Sequence, residues 1–368
     1  MKKLSFGLMR LPLKSSDHSD IDHEKLCEMV DHFMAKGFTH FDTAYVYHGG
    51  KSEVAFRECV VKRYPRDSFT ITDKLPLFGR PDRAGMEKIF AESLERCGVE
   101  YFDYYWLHAM GRDLYNFSKE VDAFGFISEM KAAGKIKNIG FSFHDGPELL
   151  DEMLTDHPEV DCIQLQINYL DWNDGWVRAQ KCYEVACKHN VPVMVMEPVK
   201  GGALATVPKK AEKLMRDYNP DASPASWAIR YCASLDNVCY VLSGMSNMDH
   251  VTDNCDYMDD FKPLNEEEYA ILEKVAEIVK FTIPCTACRY CTDGCPMNID
   301  IPTVFSAYNG FKKGGKERWE GVQKFKESIE KGGKPSDCIG CGQCTDHCPQ
   351  NIEIPKWLEE ISADMESN

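Results

Sequence analysis

Two cysteine runs constrain this chain more than any other feature. They are Cys285-x2-Cys288-x2-Cys291-x3-Cys295-Pro296 and Cys338-x2-Cys341-x2-Cys344-x3-Cys348-Pro349. Three thiolates spaced this way on one tight loop can wrap three corners of a cubic [4Fe–4S] cluster, and the fourth cysteine points away, towards the other cluster. The spacing assigns Cys285, Cys288, Cys291 and Cys348 to one cluster, and Cys338, Cys341, Cys344 and Cys295 to a second. Zinc favours paired Cys-x2-Cys units, and disulfides need an oxidising compartment. The repeat also outruns the cysteines: Cys295-Pro-Met-Asn-Ile-Asp-Ile-Pro302 matches Cys348-Pro-Gln-Asn-Ile-Glu-Ile-Pro355, and each tail leads into a helical stretch, Thr303–Tyr308 and Lys356–Ala363.

The remaining nine of the 17 cysteines are scattered without metal-type spacing. They read as reduced and mostly buried, since a free thiol packs as a small apolar group. That points to the cytoplasm. The formal charge of −16 disfavours a nucleic-acid or anionic-lipid partner. The opening MKKLSFGLMRLPL has no long apolar run, because Arg10 interrupts it, so no signal peptide and no membrane span are expected. The basic stretch Phe311–Arg318 reads as a solvated face offset by neighbouring glutamates, with docking of an acidic redox protein partner as the alternative.

The first 255 or so residues repeat one rhythm: amphipathic helix, glycine stop, short apolar strand, polar loop. Leu26, Met29, Val30, Phe33 and Met34 recur at helical spacing, Gly37 ends the helix, and Phe38–Phe41 reads as a strand. Helices closed by Gly98 and Gly134 repeat the unit; the second of these carries Val121, Phe124, Ile127 and Met130. Strands are predicted at 4–9, 38–42, 69–73, 102–107, 137–141, 161–166, 191–196 and 238–243. Alternation of this kind implies parallel strands with right-handed crossovers, and eight units make an α/β (β/α)8 TIM barrel. An open doubly wound sheet usually shows a glycine fingerprint after its first strand, and none is present. The division is a barrel at 1–262, a linker helix within 263–280, and a mainly helical cluster domain at 281–368.

Chemistry in such a barrel sits where strands end. The strand ends supply Asp42, Lys74, His108, Ser142, Gln164 and Glu197, with Tyr47 just beyond Asp42. A phenol of pKa about 10 is a poor proton donor on its own. A lysine cation beside it favours the phenolate, an aspartate fixes the lysine, and a histidine can hydrogen-bond a substrate oxygen.

Phe41-Asp42-Thr43-Ala44-x2-Tyr47, Asp73-Lys74-Leu75 and Leu107-His108 stand in the order and spacing of the catalytic tetrad of the aldo-keto reductase superfamily, which residues 1–260 resemble. Residues 281–360 resemble two-cluster ferredoxin domains of the helical type. The first resemblance implies a small-molecule carbonyl or alcohol substrate and a nicotinamide dinucleotide, NAD(H) or NADP(H). Ser142 and Gln164 would hold its carboxamide, Met196 would lie under the ring, Gly201 and Gly202 would admit the pyrophosphate, and Ser243, Gly244, Asp253 and Asn254 would hold the adenosine end. Met196 stands where the family often has an aromatic residue. Phe143 replaces a common asparagine, and Gly244 and His250 replace common cations. These departures leave NADH, NADPH and a flavin open. The chain enters its first strand almost at once, so the family's N-terminal hairpin is expected to be absent.

Three functions follow. One is a carbonyl reductase with Tyr47 as proton donor. The second is an electron-transfer oxidoreductase in which the clusters exchange single electrons with a flavin or other cofactor. The third, disfavoured by the intact tetrad, is a non-catalytic redox sensor.

Overall fold

The computed structural model describes residues 2–15, 17–175, 177–279, 281–292, 294–313 and 315–366. The chain divides into two compact units, 1–199 with 209–275, and 200–208 with 276–368.

The first unit holds eight strands: β1 Leu4–Gly7, β2 His40–Asp42, β3 Thr70–Pro76, β4 Phe102–Met110, β5 Ile136–Phe143, β6 Cys162–Gln166, β7 Val193–Met196 and β8 Val238–Ser243. Each pairs in parallel with the next, and β8 returns to β1, closing the barrel. Its helices are α1 His23–Ala35, α2 Lys51–Phe56, α3 Arg83–Cys97, α4 Arg112–Glu120, α5 Ala123–Ala132, α6 Pro147–Asp156, α7 Ala179–Lys188, α8 Lys209–Tyr218, α9 Pro224–Ala233 and α10 Met248–Asp259. Strand burial is nearly continuous rather than alternating, as expected where one face meets the barrel interior and the other meets helices. Inside, His40 of β2 stacks on Tyr240 of β8 at 4.0 Å and meets Tyr104 of β4 edge-on at 5.5 Å. Three alternate strands thus fill one layer, the packing a closed eight-stranded barrel requires. Gly140 of β5 lies so close to β6 that a Cβ there would sit 1.8 Å from the Cys162 carbonyl oxygen.

Local chemistry explains most boundaries. Asp22, Asp82 and Asn247 accept backbone N–H bonds at the starts of α1, α3 and α10. Gly98 and Gly134 stop α3 and α5 with φ of 69° and 73°. The apolar series Val121–Met130 is not one helix, however. Asp122 adopts φ 51°, Val121 closes α4, and α5 begins at Ala123. Strands β3 and β4 run further than expected, because Lys74, Leu75 and Pro76 continue in register with Trp106, Leu107 and His108.

Helix α11, Glu266–Ile278, spans the residues where the chain passes into the second unit. That unit contains α12 Ile301–Lys313, α13 Gly315–Lys331, α14 Gln343–Asp346 and α15 Ile354–Ile361. Its core is Ile283, Ile299, Ile301, Val304, Phe305, Tyr308, Ile354, Leu358 and Ile361, with both cysteine loops packed against it. Within the basic stretch, Lys312 pairs with Asp364 at 2.8 Å, Lys316 with Glu320 at 3.1 Å, and the Arg318 guanidinium covers Phe311. Much of its charge is therefore consumed internally; Gly314 lies outside the described residues. Among the described residues no helix is long and apolar enough to cross a membrane.

Candidate active site

Parallel closure places the C-terminal ends of β2, β3 and β4 side by side, and with them the residues expected to act together. Lys74 is fully buried. Its Nζ donates to Asp42 Oδ1 at 2.7 Å and to the Thr43 carbonyl at 2.7 Å, and stands 3.5 Å from the Tyr47 hydroxyl. The other Asp42 oxygen accepts from Gln164 Nε2 at 3.1 Å. Burial pushes the Asp42 carboxyl upward, while the Lys74 charge and these hydrogen bonds oppose that shift and favour the carboxylate. Tyr47 begins a short turn in which His48 and Gly49 take φ of 53° and 63°. Its ring meets His108 edge-on at 5.9 Å. Burial, then the Lys74 charge, then His144, hold His108 well below the ordinary histidine range, so the imidazole is neutral. Phe78, 39% exposed, tilts over His108 at 5.6 Å.

A buried polar cluster behind Lys74 was missed in the sequence. Asp73 Oδ1 accepts the Lys74 backbone N–H at 2.8 Å, and its other oxygen lies 3.7 Å from Cys97 Sγ. Glu53, equally buried, reaches Asp73 and takes an ion pair from Arg96 at 3.2 Å. Burial and then the Glu53 charge push the Asp73 carboxyl well up. Two carboxyls this close share a proton rather than both ionise. Donor atoms of Glu53, Asp73 and Cys97 converge within 4.8 Å, but Arg96 already supplies the compensating cation. Nothing in the local pattern of these residues predicts that they meet.

The residues assigned to a dinucleotide separate into three groups. Ser142 Oγ accepts the Ala109 N–H at 2.7 Å, which leaves its own O–H to donate, and Gln164 keeps its side-chain carbonyl to accept. A donor beside an acceptor complements a primary carboxamide. At the end of β8, Ser243 Oγ accepts from Asn254 Nδ2 at 2.6 Å, Asn254 Oδ1 accepts from Tyr257, and Asp253 accepts from Ser223, the cap of α9. Gly244 faces the aliphatic stem of Arg10, whose guanidinium lies 3.9 Å from Glu197 just beyond Met196. Arg10, read from sequence only as a break in an apolar run, is thus a cation at the barrel end. The third group, Gly201 and Gly202, belongs to the second unit. Gly201 has φ 64°, and a Cβ there would meet the Thr286 carbonyl oxygen at 2.2 Å, whereas Gly202 faces open space.

The cysteines form two sets in the second unit. Cys285, Cys288, Cys291 and Cys348 line one cavity, and Cys295, Cys338, Cys341 and Cys344 line another. Ile301 contributes to the wall of both. The backbone repeats as well. Left-handed residues recur two and four places after the first cysteine of each run, at Ala287 and Arg289 and at Gly340 and Gly342, and again at Asn298 and Asn351. Burial and neighbouring thiols push Cys291 upward, so only a bound cationic group makes four adjacent thiolates tolerable. Four sulfur donors around an otherwise apolar cavity fit an iron–sulfur cluster.

Comparison with known proteins identifies both parts. Residues 3–277 match the aldo/keto reductase family, and residues 284–353 match a 4Fe-4S dicluster domain. An aldo-keto reductase of Mycobacterium avium is 27% identical over 218 residues, 59% of this chain and 70% of that protein. The NADH-specific methylglyoxal reductase of Escherichia coli is 24% identical over 228 residues, 57% of this chain and 65% of that protein. A Bacillus halodurans aldo-keto reductase in its holo form superposes with a TM-score of 0.60 at 24% identity, over 76% of this chain and 94% of that one. A Klebsiella pneumoniae aldo-keto reductase in complex with NADPH gives 0.58 at 17%, over 77% and 93%. The chain belongs to the aldo/keto reductase family and is an oxidoreductase carrying a C-terminal 4Fe-4S domain.

The buried Asp73 carboxyl yields a signed prediction. A carboxyl whose folded pKa lies above its unfolded value of about 3.9 stabilises the fold fully below that pH, and this contribution is lost as pH rises towards the folded value. Asp73→Asn keeps the shape and removes the titration. Its stability relative to wild type should therefore improve as pH rises above about 4, the unfolded carboxyl value, measured by urea unfolding followed by circular dichroism. A pH-independent difference would show that Asp73 is ionised in the folded protein.

Proposed function

We propose that this family member reduces the carbonyl of a small molecule, or oxidises the corresponding alcohol, with Tyr47 as proton donor. The observation that carries this reading is the buried Lys74 ammonium, held by Asp42 and the Thr43 carbonyl, 3.5 Å from the Tyr47 hydroxyl. That cation stabilises the phenolate left when Tyr47 gives its proton to a substrate oxygen. Neutral His108 can donate its N–H to the same oxygen and orient it. Phe78 supplies an apolar wall beside His108. A nicotinamide dinucleotide, NAD(H) or NADP(H), would supply or accept the hydride. Ser142 and Gln164 match its carboxamide, Met196 offers an apolar surface at the end of β7, and Arg10 supplies a cation for a phosphate. The NADPH complex of the Klebsiella enzyme and the NADH specificity named for the Escherichia coli relative support that cofactor class.

Replacing Tyr47 with Phe removes one hydroxyl and should lower kcat/KM for aldehyde reduction about 10²–10⁴-fold, with iron content and circular dichroism unchanged. Activity near wild type would mean that the proton comes from another group.

We further propose crossed ligation, with two [4Fe–4S] clusters exchanging single electrons when bound. Cys348→Ser should deplete the cluster held by Cys285, Cys288 and Cys291 and spare that held by Cys338, Cys341, Cys344 and Cys295, as read by iron content and electron paramagnetic resonance. Loss of the second cluster alone would instead mean that each run binds its own.

One contact favours a second reading, in which the clusters communicate with the bound cofactor, nicotinamide or flavin. Gly201, in the loop assigned to cofactor phosphates, packs directly on Thr286 between Cys285 and Cys288. Anaerobic addition of NADH should then bleach the cluster absorbance in the visible range. A spectrum unchanged while the same sample turns over aldehyde would leave the clusters a structural role.

A further inference from the structure

Helix α1 places Cys27 opposite Arg57–Val61, a π turn that extends α2. In that turn the Lys62 amide reaches back five residues to the Arg57 carbonyl at 3.0 Å. Such a turn takes one extra residue into a helix and is frequent at functional positions. Here it carries the fully buried Cys59, whose sulfur lies 2.7 Å from that of Cys27. Even carbon atoms in van der Waals contact settle at about 3.5–4.0 Å, and a disulfide bond measures about 2.05 Å. The two sulfurs are therefore already closer than packed thiols. Their backbones are held as well: Arg63 Nη1 donates to the carbonyls of both Cys27 and Cys59, at 3.2 and 3.3 Å, while its Nη2 pairs with Asp31 of α1 at 2.7 Å. Tyr64 ties the same aspartate from the far side of the turn.

We propose that Cys27 and Cys59 are a reversible dithiol–disulfide pair, a modification site that responds to low-molecular-weight disulfides. Cys27 is partly exposed and Cys59 is not, which orders the steps. The Cys27 thiolate attacks one sulfur of oxidised glutathione, forming a mixed disulfide and releasing one glutathione thiolate, which takes up a proton. The Cys59 thiol then gives up its proton and attacks the Cys27 sulfur. The Cys27–glutathione bond breaks, and the second glutathione leaves as a thiol carrying that proton. Two protein thiols lose two electrons, and one glutathione disulfide becomes two glutathiones. The new bond clips α1 to the turn after α2 and closes a loop containing both Asp42 and Tyr47. Oxidation thus restrains the segment that carries the proton donor and the partner of Lys74.

The test uses the full chain, purified without oxygen and equilibrated in glutathione buffers from fully reduced to fully oxidised. Free thiols are then alkylated and the protein digested with trypsin. A linked pair of Leu26–Lys36 with Glu58–Lys62, two hydrogens lighter than the sum of its parts, should grow with the oxidised fraction and vanish on adding dithiothreitol. The oxidised protein should melt about 5–10 °C higher. Cys27→Ser should show neither change, and Cys59→Ala should stop at a glutathione adduct on Cys27. Full alkylation of both thiols in every buffer, or a wild-type adduct on Cys27 that never resolves, would overturn the proposal. So would an equal melting shift in Cys27→Ser.

Discussion

A lysine ammonium with no solvent exposure is the demand around which the barrel mouth is organised. Removing one partner from a buried ion pair costs about 3–5 kcal/mol, so Lys74 requires Asp42 on the neighbouring strand and the Thr43 carbonyl just beyond it. That requirement is met only if β2 and β3 pair with Asp42 opposite Thr72. A slip of one residue would turn Lys74 to the opposite face of the sheet. Sheet register and the Asp42–Lys74–Tyr47 geometry are therefore one constraint. The next layer out follows the same logic. Asp73 must face the other way from Lys74, into the helical layer, and its carboxyl is buried there too. Glu53 and Arg96 answer it from α2 and α3. The two helices are thereby fixed against the strand that carries the buried Lys74 cation.

What could be read before the fold was known divides along physical lines. Strand–helix alternation, glycine stops and strand-end residues are local or periodic signals, and they located all eight strands and the four tetrad side chains that the structure brings to adjacent strand ends. Periodicity failed at Asp122. A left-handed residue broke an apolar series that looks continuous, and nothing in a one-dimensional pattern marks an aspartate as taking φ 51°. The Glu53–Asp73–Cys97 cluster, the Cys27–Cys59 contact and the position of Arg10 were invisible for a different reason. Each joins residues from separate helices, strands or loops, and only closure of the barrel makes them neighbours. Ser243 and Asn254 were assigned to a cofactor on family resemblance. Their mutual hydrogen bond at 2.6 Å shows that part of what the resemblance marks there is also the seam between β8 and α10.

The cysteine domain rests on strain as well as on spacing. Left-handed conformations at Gly340 and Gly342 are easily adopted, but Ala287 and Arg289 hold the equivalent positions at a cost of about 1–2 kcal/mol each. Backbone in that state turns successive N–H groups to one side, the geometry that cradles an anionic centre; the Ala287 amide already points to Cys285 Sγ at 3.4 Å. Such strain persists only where surrounding structure over-determines it. Here the surroundings include a core whose isoleucines also wall the two cysteine cavities. Filling those cavities would complete the core, so cluster loading and folding of this unit are expected to be linked.

That linkage reaches a loop that leaves a barrel strand. Residues 200–208 begin four residues after the last residue of β7, yet they fold with the second unit. Gly201 is the hinge of this arrangement, since its lack of a side chain admits the Thr286 carbonyl where a Cβ would sit 2.2 Å away. Thr286 is itself inside the first cysteine loop. Gly201 therefore meets that loop through backbone alone. The segment after β7 is thus held by the backbone of the cysteine domain rather than by the barrel's own helices, a packing that only a residue without a Cβ permits.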